Sequence, residues 1–133
     1  MQNSAARLIL GRRRRESARD ALRTLHWLNI ESRVMFKTIL IVFKVLRGSC
    51  SDNIKLTYKT FNGRAGDFLL LETPSFKTKY GKRIFEYNGS RLWNALPVEM
   101  RMEEDVDVFK KKLKTMLFDG TENLKKHAFQ YRE

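Results

Sequence analysis

The segment from Asn29 to Gly48 constrains the fold most, because it reads as a helix with both ends specified. Val34, Ile39, Val42, Phe43 and Leu46 recur at spacings compatible with about 3.6 residues per turn. Asn29 suits a helix start, and Gly48 stands where a residue tolerant of positive φ ends one. A helix with such an apolar stripe is stable only when other elements cover it. At 133 residues the chain is about one domain long, with room for a modest core but hardly for a large catalytic cleft as well. The expected architecture is therefore mainly α: a small helical domain over residues 1–120 with one short β-strand or hairpin element, then a polar tail over 121–133.

Other segments fit that frame. Residues 4–10 predict a short helix closed by Gly11. Ser17 can cap a second helix, Asp20 can reach back to it, and Ala18, Ala21, Leu22 and Leu25 fall on one face. Residues 49–62 are small and polar without a lasting period, a loop or marginal strand. Residues 68–72 form an apolar run between Gly66 and Pro74, a short strand or buried extended segment. Helical pattern returns over 84–95, where Gly89 is expected to split it. Glu103, Glu104 and Asp105 open a last helix with the stripe Val106, Phe109, Leu113 and Leu117, stopped by Gly120. Its acids come first and its lysines later, which complements the helix dipole. The expected core includes Trp27, Phe43, Leu92, Trp93, Leu96, Phe109 and Leu113. Both tryptophans stand beside a leucine near a helix end and are read as packing the helices together rather than stacking on bases.

Composition narrows the partners. Lysine and arginine number 27 against 15 acids, a net charge of +12. A field of that sign favours polyanions: nucleic acid first, an anionic membrane surface second, acidic proteins third. The bland alternative is charge that serves only solubility. No apolar run approaches the roughly 20 residues that span a bilayer, and residues 39–45, interrupted by Lys44, read as buried helix, so no membrane partner is expected. The single cysteine, Cys50, excludes an internal disulfide and points to a reducing compartment, nuclear or cytoplasmic. The Arg-rich start, without an acid before Glu16, superficially fits a mitochondrial presequence, but helical pattern continues directly into it.

The residues offer little for catalysis. Two-metal polymerisation needs paired carboxylates; the dense acidic cluster Glu103, Glu104, Asp105 and Asp107 is explained by helix-start chemistry. No Ser or Cys stands beside a His as a nucleophile would require. Gly63 and Gly66 lack the Lys-Ser/Thr of a phosphate loop, and His26, His127 and Cys50 have no familiar zinc spacing. No catalytic residue, metal ligand or cofactor is assigned; His26 is given a packing or capping role. What remains is three basic patches: Arg12, Arg13, Arg14 and Arg15 with Arg19; Lys77, Lys79, Lys82 and Arg83 with Tyr80; and the lysines of residues 110–114. In the second patch Phe76 and Tyr80 interleave with the bases, a composition suited to stacking on unpaired bases. The first also fits a nuclear-localisation signal. The third reads as a solvated helix face.

Several short runs, taken in order, resemble the region after the polymerase domain in jockey-like, LINE-type non-LTR retrotransposon reverse transcriptases. They are Gln2-Asn3-Ser4-Ala5-Ala6-Arg7-Leu8-Ile9, then Leu25-His26-Trp27-Leu28-Asn29-Ile30 with Arg33 and Phe36-Lys37, then Phe43-Lys44-Val45-Leu46-Arg47-Gly48. Pro74, Lys77, Lys79, Tyr80-Gly81 and Phe85 follow, then Leu92-Trp93-Asn94-Ala95-Leu96-Pro97, and finally Phe109-Lys110, Leu113-Lys114 and Leu117-Phe118. The resemblance implies an accessory region that holds RNA or DNA for a polymerase whose catalytic palm and endonuclease lie upstream. It implies the polymerase core as a second partner, and Met1 as an internal methionine of a longer protein. The chain departs from the family at Asn29, where a proline is usual, and after Gly48, where Ser-Cys-Ser-Asp-Asn-Ile replaces a proline followed by Tyr-Leu. A structural docking module, or an expressed remnant without selected function, are the alternatives.

Overall fold

The computed structural model describes residues 1–64 and 68–119. The expected stop at Gly120, the polar tail, His127 and Gly66 lie outside them. Among the described residues six α-helices follow in order: α1 (Gln2–Ile9), α2 (Ala18–Thr24), α3 (Ile30–Leu46), α4 (Phe85–Asn94), α5 (Val98–Arg101) and α6 (Val106–Phe118). A 3₁₀ turn, Gly81–Arg83, leads into α4.

Helix α3 organises the molecule. Asn29 caps it, its Oδ1 accepting from the Ser32 amide at 2.7 Å, which satisfies one of the donors that every helix start leaves open. At the other end Gly48, with φ +68°, lets its own amide and that of Ser49 return to the carbonyls of Val45 and Lys44. Met35, Ile39, Val42 and Phe43 are buried along its length. Val34, expected in this stripe, is exposed. Each residue turns the helix by about 100°, so Met35, four before Ile39, takes the inward place.

Helices α4 and α6 cover that face. Phe43, Trp93 and Phe109, one from each of α3, α4 and α6, meet at the centre; the Phe43 and Phe109 rings stack at 4.3 Å. Such pairs add about 0.5–1.5 kcal/mol each beyond the area they bury. Leu92, Leu96 and Leu113 are buried in the same cluster. Gly89 does not split α4, which runs unbroken. A Cβ there would lie 2.8 Å from Val42 Cγ2, so glycine is what allows α4 to approach α3 this closely.

Residues 68–72 do not form a strand. One antiparallel bridge joins Leu71 to Tyr58, and α4 side chains supply the remaining order. Trp93 Nε1 donates to the Leu69 carbonyl at 2.9 Å. The Asn94 amide accepts from the Leu71 amide and donates to its carbonyl, both at 2.8 Å. Buried backbone groups need partners, and here a tryptophan and an asparagine replace a neighbouring strand.

Helices α1 and α2 pack as a separate pair around Ala6, Ala21 and Leu22, turning at Gly11 with φ +62°. Ser17 Oγ accepts from the Asp20 amide at 3.4 Å at the start of α2. Gln2 Nε2 donates to the Leu28 carbonyl at 2.7 Å, tying α1 to the junction between α2 and α3. At that junction Trp27, expected in the core, is instead 38% exposed, and Leu28 is buried in its place. The cause is His26, whose φ of +52° reverses the chain after α2 and turns the next side chain outward.

Candidate nucleic-acid interface

The first basic segment is a fastened turn. Arg7 Nε donates to the Glu16 carbonyl at 2.9 Å, and the Glu16 carboxylate accepts from the Arg13 amide at 3.3 Å. Arg12 is half-buried and donates to Thr24 Oγ1 at 3.4 Å, so part of its donor capacity holds α1 to α2. Arg13, Arg14, Arg15 and Arg19 are exposed.

The second segment is anchored to α4 by Phe76. Its ring meets Tyr87 edge-on at 6.2 Å, and Gly81 leaves room for it, since a Cβ there would sit 2.7 Å away. Thr78 Oγ1 accepts from the Gly81 amide at 3.1 Å. Lys77, Lys79, Tyr80 and Arg83 are exposed and Lys82 is half-buried. The Arg83 guanidinium lies 5.6 Å from the centre of the Tyr80 ring. One face of Tyr80 is therefore engaged by a cation, which leaves at most the other for a base. This segment sits on α4 and the first on the α1–α2 pair, so they belong to separate packing units.

The lysines of α6 divide by role. Lys110 pairs with Asp107 at 3.5 Å and Lys112 with Glu103 at 2.6 Å. The hydrogen bond from Lys112 holds the Glu103 carboxyl below its ordinary range. Asp105 Oδ1 accepts from the amides of Val108 at 3.0 Å and Asp107 at 2.8 Å, and these bonds lower its pKa too. The acidic cluster is thus engaged in starting α6 and in pairing its lysines.

Lys114 behaves differently. It lines a cleft of about 460 Å³ between the turn after α2, the N-terminal half of α3, and α6. His26 shapes the turn: its amide and that of Trp27 return to the carbonyls of Arg23 and Leu22, and its ring stacks on Phe118 at 5.5 Å. Trp27 and Phe36 supply aromatic wall, while Arg33 and Lys37 bring cations from α3. No carboxylate lines the cleft among the described residues. Sequence reasoning placed Trp27 in the core and Lys114 on a solvated face, and missed the site. One signal was available: Arg33 and Lys37 are like charges one helical turn apart, a spacing that costs helix stability and that Phe36 interrupts with an aromatic.

None of the family models, curated proteins or solved structures compared with the chain matches it. Among the described residues no three His, Cys, Asp or Glu side chains come together as a metal site would require. No helix among them is long and apolar enough to cross a membrane.

Proposed function

We propose that the chain is a nucleic-acid-binding accessory region of a non-LTR retrotransposon RNA-directed DNA polymerase, acting in the nucleus or cytoplasm and lacking the polymerase active site. The observation that carries the binding is the exposed set Arg13, Arg14 and Arg15 on a turn that hydrogen bonds hold in shape, with exposed Arg19 beside them in the first turn of α2. Cations presented on an ordered turn contact phosphates without first ordering the chain, and each contact releases counterions. Lys77, Lys79, Lys82, Arg83 and Tyr80 add a second phosphate-contacting segment. The lineage rests on the ordered motifs, above all Leu92-Trp93-Asn94-Ala95-Leu96-Pro97. That hexapeptide has a concrete job in this fold: Leu92, Trp93 and Leu96 are buried, and Trp93 and Asn94 pin residues 69–71.

Binding to single-stranded RNA and DNA, titrated across salt, tests the reading. Affinity should fall linearly on a log–log plot, by about 0.7 in slope per phosphate contacted. Replacing Arg12, Arg13, Arg14 and Arg15 by Gln should flatten that slope by up to about 3. Salt-insensitive binding, or no binding to either nucleic acid at low salt, refutes the function.

One observation favours a second reading, docking onto the polymerase core. Ile30 and Val34, one turn apart on α3, are 63% and 55% exposed. If they form a docking face, the isolated chain should self-associate and Ile30→Glu with Val34→Glu should make it monomeric. A monomeric wild type at high concentration counts against docking there.

A further inference from the structure

We infer that the cleft beside Trp27 holds one unpaired nucleotide, its base stacked on the indole and its phosphate between Arg33, Lys37 and Lys114. This rests on the proposed nucleic-acid function and names a site for it that no residue of either basic segment lines. Two features of the cleft point to that ligand. First, a large aromatic ring faces solvent: Trp27 is turned outward by a backbone reversal at His26, and the stack of His26 on Phe118 braces that reversal. Base–aromatic stacking needs a free ring held in place, and it needs a base that is not already stacked in a duplex.

Second, two helices converge three cations on the same cavity without a carboxylate among its described lining residues. The ion pairs Lys110–Asp107 and Lys112–Glu103 involve none of the three. Among the described residues no ion pair engages them, so their charge is available to an anion, and the aromatic wall beside it selects an anion that carries a ring. The volume of about 460 Å³ lies within the range of small-ligand sites.

The two tryptophans make the test direct, because Trp93 is 1% exposed and only Trp27 can be reached by a ligand. The full chain is titrated with a single-stranded oligonucleotide, a duplex of the same sequence, and heparin, while tryptophan fluorescence and affinity are both followed. The single strand should quench, and duplex and heparin should bind without comparable quenching. Trp27→Ala should weaken single-strand binding about tenfold, the loss of one stacked base, leave duplex binding within about twofold, and leave melting unchanged; Trp27→Phe should restore most of the loss. Should Trp27→Ala lower melting, the triple variant Arg33→Gln, Lys37→Gln, Lys114→Gln decides, since all three side chains are exposed and it should abolish the quench. Equal quenching by heparin overturns the inference, as does unchanged single-strand affinity in Trp27→Phe and Trp27→Ala alike. In those cases nucleic-acid binding through the basic segments still stands. Absence of binding to any nucleic acid at low salt removes both.

Discussion

Gly89 sits where α4 crosses α3, and the missing side chain sets the distance between the two helices. Alanine is the better helix former by about 1 kcal/mol, so on propensity alone Gly89→Ala should stabilise. The added Cβ would press on Val42 Cγ2 at 2.8 Å, and a β-branched side chain has little freedom to turn away. Overpacking of this kind costs about 1–3 kcal/mol, so the net effect is expected to be destabilising, read as a lower urea midpoint. Val42→Ala removes the obstructing methyl. In the double variant the two changes should therefore sum to less than their separate costs, with a coupling of at least about 0.5 kcal/mol. A Gly89→Ala protein more stable than wild type would show that the helices can part without cost. His26 makes the complementary point at the same scale: a residue with positive φ cannot be picked out by type when it is not glycine. That one dihedral is why Trp27 was legible as an important aromatic and illegible as an exposed one.

Elements whose ends and faces are set by their own residues could be read from the chain. Helix α3 has its cap, stripe and stop within twenty positions, and α6 has Asp105 at its start and Phe109, Leu113 and Leu117 along one side. Residues 68–72 could not be read in this way, because their partners Trp93 and Asn94 lie 23–24 positions away and act through side chains. Asn29→Ala should cost about 1 kcal/mol, seen as a lower melting temperature, while Asn29→Asp, which keeps an accepting oxygen, should be close to neutral. An equal loss in both would place the role of Asn29 elsewhere than in the cap. For α6 the expectation concerns pH. The Asp105 and Glu103 carboxyls are lowered from ordinary values of 3.8 and 4.5 by the amides of Val108 and Asp107 and by Lys112 respectively. A lowered folded-state pKa means stability that is fully present above the ordinary value and is lost as pH falls through the folded one. Melting temperature should thus decline between about pH 5 and pH 2, and Asp105→Ala should lower it at neutral pH while making the decline shallower. An undiminished acid slope in Asp105→Ala would assign the loss to other carboxyls.

Among the described residues the buried side chains form two hydrophobic clusters of very different size. The larger joins α3, α4, α5 and α6 through Phe43, Trp93 and Phe109; the smaller holds α1 to α2 by Ala6, Ala21 and Leu22. Buried apolar area scales with side-chain size, so two alanines and a leucine hold their helices far less firmly than three packed aromatics hold theirs. Stability within one molecule is distributed accordingly, with weakly packed units opening far below the free energy of global unfolding. Hydrogen exchange should therefore divide the amides into two classes: those of α3, α4 and α6 exchanging close to the global limit, and those of α1 and α2 exchanging by a cheaper local opening. The weaker unit is also the one that carries Arg12, Arg13, Arg14, Arg15 and Arg19, and Gln2, which contributes to the cleft beside Trp27. A ligand that binds only the closed form stabilises it by mass action. Saturating single-stranded RNA or DNA should slow exchange in α1 and α2, and by a similar factor in the globally exchanging amides of α4, because both openings release the ligand. Slower exchange in α3, α4 and α6 with none in α1 and α2 would mean that the ligand stays bound when the α1–α2 pair opens, and would remove the arginine turn from the interface.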